Sequence, residues 1–233
     1  PYGTITNSTS TTNSALTKAV TINTLHKFKG TGEKFVVISL YDAHMAAMAQ
    51  RCGVEVVLVG DSLGMTVLGY DSTIPVTMEH MIYHVEAVAR GNKKSLIMGD
   101  LPFMTYATPE DALRNCARIM QAGAHMVKLE GGEWLAETVR MLSDRGIPVC
   151  AHIGLTPQSV NKFGGFRVQG RDQTQADKLL ADAKLLAEAG ADLLLMECMP
   201  AALAAQITRE IPIPTIGIGA GRDTDAQVLV IND

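Results

Sequence analysis

Apolar residues in this chain form two kinds of pattern that follow one another in turn. Short continuous runs, such as FVVIS at 35–39, are typical of strands that are buried on both faces. Between the runs lie segments with helical spacing, for example 174–188, whose leucines and alanines recur on one stripe. The apolar runs lie near residues 35–39, 55–60, 95–100, 125–130, 147–152, 191–197, 213–218 and 228–231. The pattern therefore predicts strands that alternate with helices.

Three segments repeat the same unit, which consists of the end of a helix, an apolar strand and an acidic residue. They read CGVEVVLVGD at 52–61, AGAHMVKLE at 122–130 and AGADLLLME at 189–197. Each has a glycine suited to ending a helix, continues as an apolar strand and finishes on a carboxylate. The eight apolar runs, with helices between them, predict a (β/α)8 barrel, the TIM barrel. An open doubly wound sheet is the alternative architecture.

The composition indicates one folded domain preceded by a tail. The chain has 233 residues, of which 47% are hydrophobic, and this suffices for one sizeable core. Residues 4–14 are mostly Ser and Thr and carry no charge, so we expect residues 1–19 to form a disordered tail. Residues 20–233 are then expected to form a single catalytic barrel domain with a short N-terminal helix.

Charge and cysteine content argue against several classes of protein. The net charge is −4 and the basic residues are scattered, which is unlike proteins that bind nucleic acid or anionic membrane surfaces. No apolar stretch reaches the roughly 18 uncharged residues that a membrane span needs. The four cysteines form no C-x-x-C pair, and the Ser/Thr-rich start lacks the apolar region of a secretory signal. We therefore expect a cytoplasmic protein with reduced thiols, whose partners are small molecules or other protein chains.

Polar side chains fall where the predicted strands end. In a TIM barrel the chemistry sits at the carboxyl ends of the strands, and two long Gly-containing loops, 61–77 and 153–172, are expected to wall the site there. The residues that end strands two to six are Asp61, Asp100, Glu130, His152 and Glu197. Three of these carboxylates come from adjacent strands without a Cys or His neighbour, which favours a hard cation, most naturally Mg²⁺. Glu197 lies across the barrel, where it suits a general base better than a metal ligand.

Several of these residues have a structural alternative. Each strand-end acid could cap the following helix or pair with a surface lysine. Lys128 could pair with Glu130, bind a substrate carboxylate or, if desolvated, form a Schiff base. Trp134 is expected to be buried or to lie in a subunit contact, and GIGAG at 217–221 is expected to form a tight loop rather than a dinucleotide site.

Longer motifs resemble a known family. The segments are GDSLGMTVLGYDSTIPVTMEHM, MGDLPFMTY, VKLEGG, AHIGLTPQSVNKFGGFRVQGR, LLLMECMP and GIGAG, which follow in unbroken order within residues 20–233. They resemble the ketopantoate hydroxymethyltransferases, which are barrels of the phosphoenolpyruvate mutase and isocitrate lyase type. The resemblance implies that Asp61 and Asp100 bind Mg²⁺, with Glu130 as a third acidic residue acting through water. It also implies that Glu197 accepts a proton.

The same resemblance implies a substrate site and a reaction. Asp61, Ser62, Asp100 and Lys128 match positions that bind the 2-oxo acid, and His152 would lie in the pocket near the folate side, together with loop 153–172. The family transfers a hydroxymethyl group from 5,10-methylenetetrahydrofolate to 3-methyl-2-oxobutanoate through a Mg²⁺-stabilised enolate. The product, 2-dehydropantoate, is a precursor of pantothenate.

Family members also form homo-oligomers, decamers in many cases, and carry a last helix after strand eight that we expect to be missing from the sequence printed here. Three other functions remain open at this point. The chain could be another Mg²⁺-dependent lyase or mutase of 2-oxo acids, a class I aldolase using Lys128, or a barrel without catalytic activity that serves as a scaffold.

Overall fold

Eight parallel strands form a closed barrel in the computed structural model, which describes residues 16–233. The strands pair in chain order, and β1 closes the barrel by pairing with β8 in parallel. Their bounds are β1 Phe35–Ser39, β2 Val56–Val59, β3 Leu96–Asp100, β4 Met126–Glu130, β5 Val149–Gly154, β6 Leu193–Glu197, β7 Thr215–Ile218 and β8 Ala226–Val230. The predicted (β/α)8 barrel is confirmed, and the open sheet is wrong because β1 and β8 are hydrogen-bonded to each other.

Helices precede the first strand and connect most of the others. They are α1 Ile22–Thr31, α2 Ala43–Arg51, α3 Leu63–Thr66, α4 Met78–Gly91, α5 Pro109–Gln121, α6 Ala136–Asp144, α7 Val160–Phe163, α8 Gln173–Glu188 and α9 Ala201–Glu210. Their starts follow ordinary capping chemistry. The Thr108 hydroxyl accepts a hydrogen bond from the Asp111 N–H, and Pro109 occupies the first turn of α5, where a missing N–H costs nothing.

The strand residues divide between two cores by alternation. One core lies between the strands and the surrounding helices, and the other fills the barrel interior. The interior core includes Val37, Met98, Met126 and Leu193, together with Leu25 of α1. Since Leu25 belongs to this core and is fully buried, α1 closes the amino end of the barrel. The carboxyl ends of the strands form the opposite rim, which is called the carboxyl rim below.

The two ends of the chain bear on the remaining fold predictions. Most of the predicted tail, residues 1–15, lies outside the residues that the structure describes. At the other end, β8 is followed by a turn, and no helix follows Val230 within residues 16–233. No helix in that same range combines the length and the apolar character needed to cross a membrane.

Candidate active site

The structure brings all the sequence-predicted site residues to one cavity at the carboxyl rim. The cavity measures about 200 Å³. Those residues are Asp61, Ser62, Asp100, Lys128, Glu130, His152 and Glu197. The five predicted strand-end positions therefore converge although they lie up to 136 residues apart in sequence, from 61 to 197, because parallel strands in a barrel all end on the same rim.

Three buried carboxylates form the floor of this cavity. Asp61 follows β2, whereas Asp100 and Glu130 are the last residues of β3 and β4. One carboxylate oxygen from each lies within 4.8 Å of the others. Oδ1 of Asp100 is buried and has no hydrogen-bond partner within residues 16–233. A set of hard oxygen donors with an unsatisfied buried oxygen fits a divalent cation, so this group could hold a metal ion.

The carboxylates contact a single buried ammonium group. Nζ of Lys128 lies 2.6 Å from Oδ2 of Asp100 and 3.4 Å from Oε1 of Glu130, so Asp100 is the closer partner of the two acids. Burial alone would lower the pKa of Lys128, but the carboxylates of Asp100, Glu130 and Asp61 raise it well above its usual value. Lys128 is therefore a charged group suited to binding an anion, and a Schiff base would first require its proton to be removed.

The pKa values of the three carboxylates shift in different directions. Burial raises the pKa of Asp61 well above its usual value, and the negative charges of Asp100 and Glu130 raise it further. Burial also raises the pKa of Asp100, against the opposing effect of Lys128. Burial would raise the pKa of Glu130 as well, but Lys128 and His152 lower it overall. The raised pKa values of Asp61 and Asp100 mean that Lys128 alone does not offset the burial and mutual repulsion of these carboxylates, and a bound cation would help to offset them.

His152 of β5 lies between two glutamates, Glu130 at the end of β4 and Glu197 at the end of β6. Its Nδ1 is 3.6 Å from Oε1 of Glu130, and its Nε2 is 3.3 Å from Oε2 of Glu197. Neither nitrogen makes a hydrogen bond within the described part of the chain. The side chain of Glu197 is 20% exposed, whereas those of His152 and Glu130 are 1% and 2% exposed. Glu197 is thus the carboxylate of this pair that a substrate entering from the rim can reach.

Two tyrosines and a glutamine contribute to the site although sequence reasoning did not select them. The Tyr41 hydroxyl is hydrogen-bonded to the Ser62 hydroxyl at 2.8 Å. Gln158 donates from Nε2 to Oδ2 of Asp61 at 2.8 Å, and Tyr106 donates to Oε1 of Gln158 at 2.5 Å. The only signal in the sequence was that Gln158 falls within loop 153–172, which we predicted to wall the site.

Several other predictions concern residues around the site. Trp134 is not buried within the chain, so of the two predicted alternatives the subunit contact stays a prediction: the side chain is 60% exposed and stacks on Tyr106 with ring centroids 6.0 Å apart. The indole covers Gly131, where a Cβ would lie 2.6 Å from its ring atoms, so stacking rather than burial positions it. Gly217 and Ile218 end β7, and residues 219–221 form the tight rim loop that was predicted for 217–221, with Gly219 and Gly221 at φ +58° and +79°.

Comparison with known proteins agrees with this geometry. The family profile described as "Ketopantoate hydroxymethyltransferase" matches residues 19–233. This chain belongs to the ketopantoate hydroxymethyltransferase family. It is 72% identical over 218 residues to the 3-methyl-2-oxobutanoate hydroxymethyltransferase of Saccharophagus degradans, covering 94% of this chain and 81% of that protein. It is 59% identical over 215 residues to the protein of the same name from Marinobacter nauticus, covering 92% and 81%.

Solved structures of other enzymes share the fold of this ketopantoate hydroxymethyltransferase family member. The phosphoenolpyruvate phosphomutase of Streptomyces platensis superposes with a TM-score of 0.68 at 13% identity, covering 90% of this chain and 80% of that chain. A 2,3-dimethylmalate lyase, described as a member of the PEP mutase/isocitrate lyase superfamily, superposes with a TM-score of 0.64 at 14% identity, covering 89% and 80%. Identities this low show the fold alone.

Proposed function

We propose that this chain transfers a hydroxymethyl group from 5,10-methylenetetrahydrofolate to 3-methyl-2-oxobutanoate, giving 2-dehydropantoate for pantothenate synthesis. The observation that carries the proposal is the convergence of three buried carboxylates, Lys128 and Glu197 in one cavity. Its support from relatives is the 72% identity to a protein named for this activity. The proposal includes a cytoplasmic location and a homo-oligomer, a decamer by resemblance to the family.

The cavity offers a place for the carboxylate and keto oxygens of a 2-oxo acid. Asp61 and Asp100 would hold Mg²⁺, with Glu130 contributing through water, and the ion would supply positive charge that polarises both substrate oxygens. Lys128 provides a second positive charge beside Asp100, and the Ser62 hydroxyl, oriented by Tyr41, provides a hydrogen-bond donor. These groups fix the orientation of the substrate in the cavity.

Glu197 is the proposed general base. It would accept the proton from C3 of the 2-oxo acid, so that the C–H electron pair becomes available to attack the one-carbon unit of the folate. The methylene carbon exchanges both of its carbon–nitrogen bonds, one for the new C–C bond and the other for a C–O bond to the oxygen of water. The proton taken from C3 and one proton from water end on the two folate nitrogens, which gives tetrahydrofolate. His152 lies 3.3 Å from Glu197 and is proposed to line the pocket where it can hold that carboxylate in place.

The size of the cavity determines how the two substrates would enter. A volume of about 200 Å³ suits a small 2-oxo acid and is too small for a whole folate. The folate would therefore approach from the rim, where Phe166 of loop 153–172 lines the opening and is 58% exposed. This arrangement agrees with the expectation that the loop faces the folate.

The proposal can be tested by exchange of the C3 hydrogen of 3-methyl-2-oxobutanoate in D2O. We expect exchange with Mg²⁺, its loss on chelation and formation of 2-dehydropantoate when methylenetetrahydrofolate is added. Glu197→Gln should slow exchange by at least about 10³-fold, the scale of a lost general base. Glu188→Gln, which alters an exposed glutamate of α8, is the matched control and should exchange at the unaltered rate.

Different failures of this experiment would favour different alternatives. Exchange without any 2-dehydropantoate in the presence of folate would point to a Mg²⁺-dependent lyase or mutase of 2-oxo acids. Trapping of the substrate on Lys128 by borohydride would indicate an aldolase. A complete absence of exchange would support a barrel that acts as a scaffold.

A further inference from the structure

The geometry points to Gln158 as a positioning residue that orients two of the three rim carboxylates for cation binding. The inference rests on the proposed function, because it assumes that the carboxylates of Asp61, Asp100 and Glu130 hold a metal ion. It assigns a role to a loop residue that lies outside the strand ends. Gln158 lies in a short 3₁₀ turn, Pro157–Ser159, at the start of the loop that follows β5.

Gln158 contacts both carboxylates directly. It is only 5% exposed. Its side-chain Nε2 donates to Oδ2 of Asp61 at 2.8 Å, and its backbone N–H donates to Oε2 of Glu130 at 3.0 Å. One residue thus occupies a single oxygen on each of two carboxylates that come from different strands. Each carboxylate keeps a second oxygen that can face a cation: Oδ1 of Asp61, and Oε1 of Glu130, which also lies 3.4 Å from Nζ of Lys128.

The orientation of the Gln158 amide follows from its neighbours. Nε2 also donates to the carbonyl oxygen of Leu101 at 2.9 Å, so two acceptors lie on the same side of the amide. Reversing the amide would place Oε1 against the Asp61 carboxylate and the Leu101 carbonyl, and acceptors would then face acceptors. Only one of the two orientations satisfies the hydrogen bonds, and it directs a donor at Asp61.

Tyr106 holds Gln158 from the opposite side. Its hydroxyl donates to Oε1 of Gln158 at 2.5 Å and accepts from the backbone N–H of Glu130 at 3.3 Å. Tyr106 is 5% exposed, and burial raises the pKa of its hydroxyl, which therefore remains a donor. The result is a buried chain of hydrogen bonds from Glu130 through Tyr106 and Gln158 to Asp61. Such partners of metal-binding side chains hold the ligand in its binding orientation, and removing them weakens metal binding.

The test measures metal affinity without substrate or turnover. Mn²⁺ is titrated into the metal-free full chain, and free Mn²⁺ is followed by electron paramagnetic resonance. Gln158→Met keeps the length of the side chain but removes its donor and acceptor, and we expect binding to weaken about 10-fold to 100-fold. Tyr106→Phe removes one oxygen, and we expect about threefold weaker binding. Gln206→Ala, which removes a glutamine hydrogen-bonded to Glu210 on α9, should bind as the unaltered chain does.

A double variant separates a positioning role from general loosening of the fold. If Tyr106 acts through Gln158, Tyr106→Phe should add little to the loss already caused by Gln158→Met, whereas independent effects would multiply. Thermal unfolding, followed by circular dichroism, shows whether each variant is folded at the temperature of the titration. If Gln158→Met does not fold, Tyr106→Phe decides the question alone.

The outcomes distinguish this inference from the proposed function. The positioning role would be overturned, with the metal site left intact, if folded Gln158→Met bound Mn²⁺ within about twofold of the unaltered chain. If Gln158→Met does not fold, the same result for Tyr106→Phe would overturn it. Failure of the unaltered chain to bind Mn²⁺ would overturn both the metal site and the role of Gln158. A chain that binds Mn²⁺ but forms no 2-dehydropantoate would contradict the reaction only.

Discussion

The two ends of the barrel both bury carboxylates, but these carboxylates differ in how completely the surrounding groups satisfy them. At the amino end, Asp225 precedes β8 and pairs with Lys29 of α1 at 2.9 Å. The same carboxylate oxygen accepts hydrogen bonds from the backbone N–H of Thr215 at 2.9 Å and from its hydroxyl at 3.1 Å. One acid, one base and neutral donors complete this cluster.

At the carboxyl rim the charges do not balance in the same way. Asp61, Asp100 and Glu130 share one lysine, and Oδ1 of Asp100 and both ring nitrogens of His152 are buried without a hydrogen-bond partner in the described part of the chain. Buried polar groups are normally paired, so an unpaired set marks a place where a ligand completes the structure. Charge at the amino end is thus paired within the fold, whereas charge at the rim is left open to the ligand proposed above.

The largest effect on stability is expected at the amino end. Asp225→Ala leaves the Lys29 ammonium largely buried without its partner, which should lower the free energy of unfolding by about 3–5 kcal/mol. Activity per folded molecule should remain, because the cavity lies at the other end of the barrel. Urea unfolding and exchange assays measure the two quantities. Asp223→Ala, at an exposed position two residues earlier, is the control, and an equal loss in both variants would contradict the assignment.

At the carboxyl rim we expect a smaller change in the free energy of unfolding, and in the opposite direction. The raised pKa of Asp61 means that the folded chain binds a proton more tightly than the unfolded chain. Stability from this group is therefore present at low pH and is lost as pH rises from the usual aspartate pKa through the raised value. Asp61→Asn cannot ionise, so in the metal-free protein at neutral pH it should raise the free energy of unfolding, by less than the loss expected for Asp225→Ala, while abolishing activity.

Unfolding in urea with a chelator, repeated at several pH values, measures this effect. The gain from Asp61→Asn should shrink as pH falls, because the unaltered aspartate is then already protonated. A metal-free Asp61→Asn that is less stable than the unaltered chain at neutral pH would mean that the rim carboxylates are satisfied like those at the amino end. The distinction between the two ends would then fail.

The smallest change in the free energy of unfolding is expected for an exposed ion pair that lies outside both clusters. Arg114 pairs with Asp111 at 2.8 Å on the surface of α5, where the two side chains are 70% and 41% exposed. Arg114→Ala should change the free energy of unfolding by less than about 0.5 kcal/mol and leave activity unchanged, because solvent screens exposed ion pairs. A loss comparable to that of Asp225→Ala would show that burial is not what separates the clusters.

The sequence pattern predicted the order of the strands well and their ends less well. The run at 147–152 was predicted as the fifth strand, whereas β5 is Val149–Gly154. The difference arises because the ladder begins where Val149 pairs with Val127 and continues until Gly154 pairs with Glu197. Strand ends depend on hydrogen bonds to neighbours distant in sequence, and a local pattern contains no information about those partners.

At the candidate site, too, some residues could be predicted from the sequence and others could not. Asp100, Glu130 and Glu197 could be selected from the sequence, because each ends a predicted strand and all strand ends meet at one rim. Gln158 could not be selected, since a polar residue in a polar loop has no distinguishing local pattern. Its contact with Asp61, 97 residues away, exists only once the turn after β5 folds over the rim.

The sequence by itself determined the barrel, the rim as the site and the chemical type of the residues placed there. Alternation along strands and the common direction of parallel strands suffice for this, because both are local or topological rules. Only the tertiary structure decided which carboxylate the lysine pairs with, which oxygen is left without a partner and which loop residue orients Asp61. These depend on differences of an ångström between side chains from separate strands, and such distances are set by packing of the whole barrel.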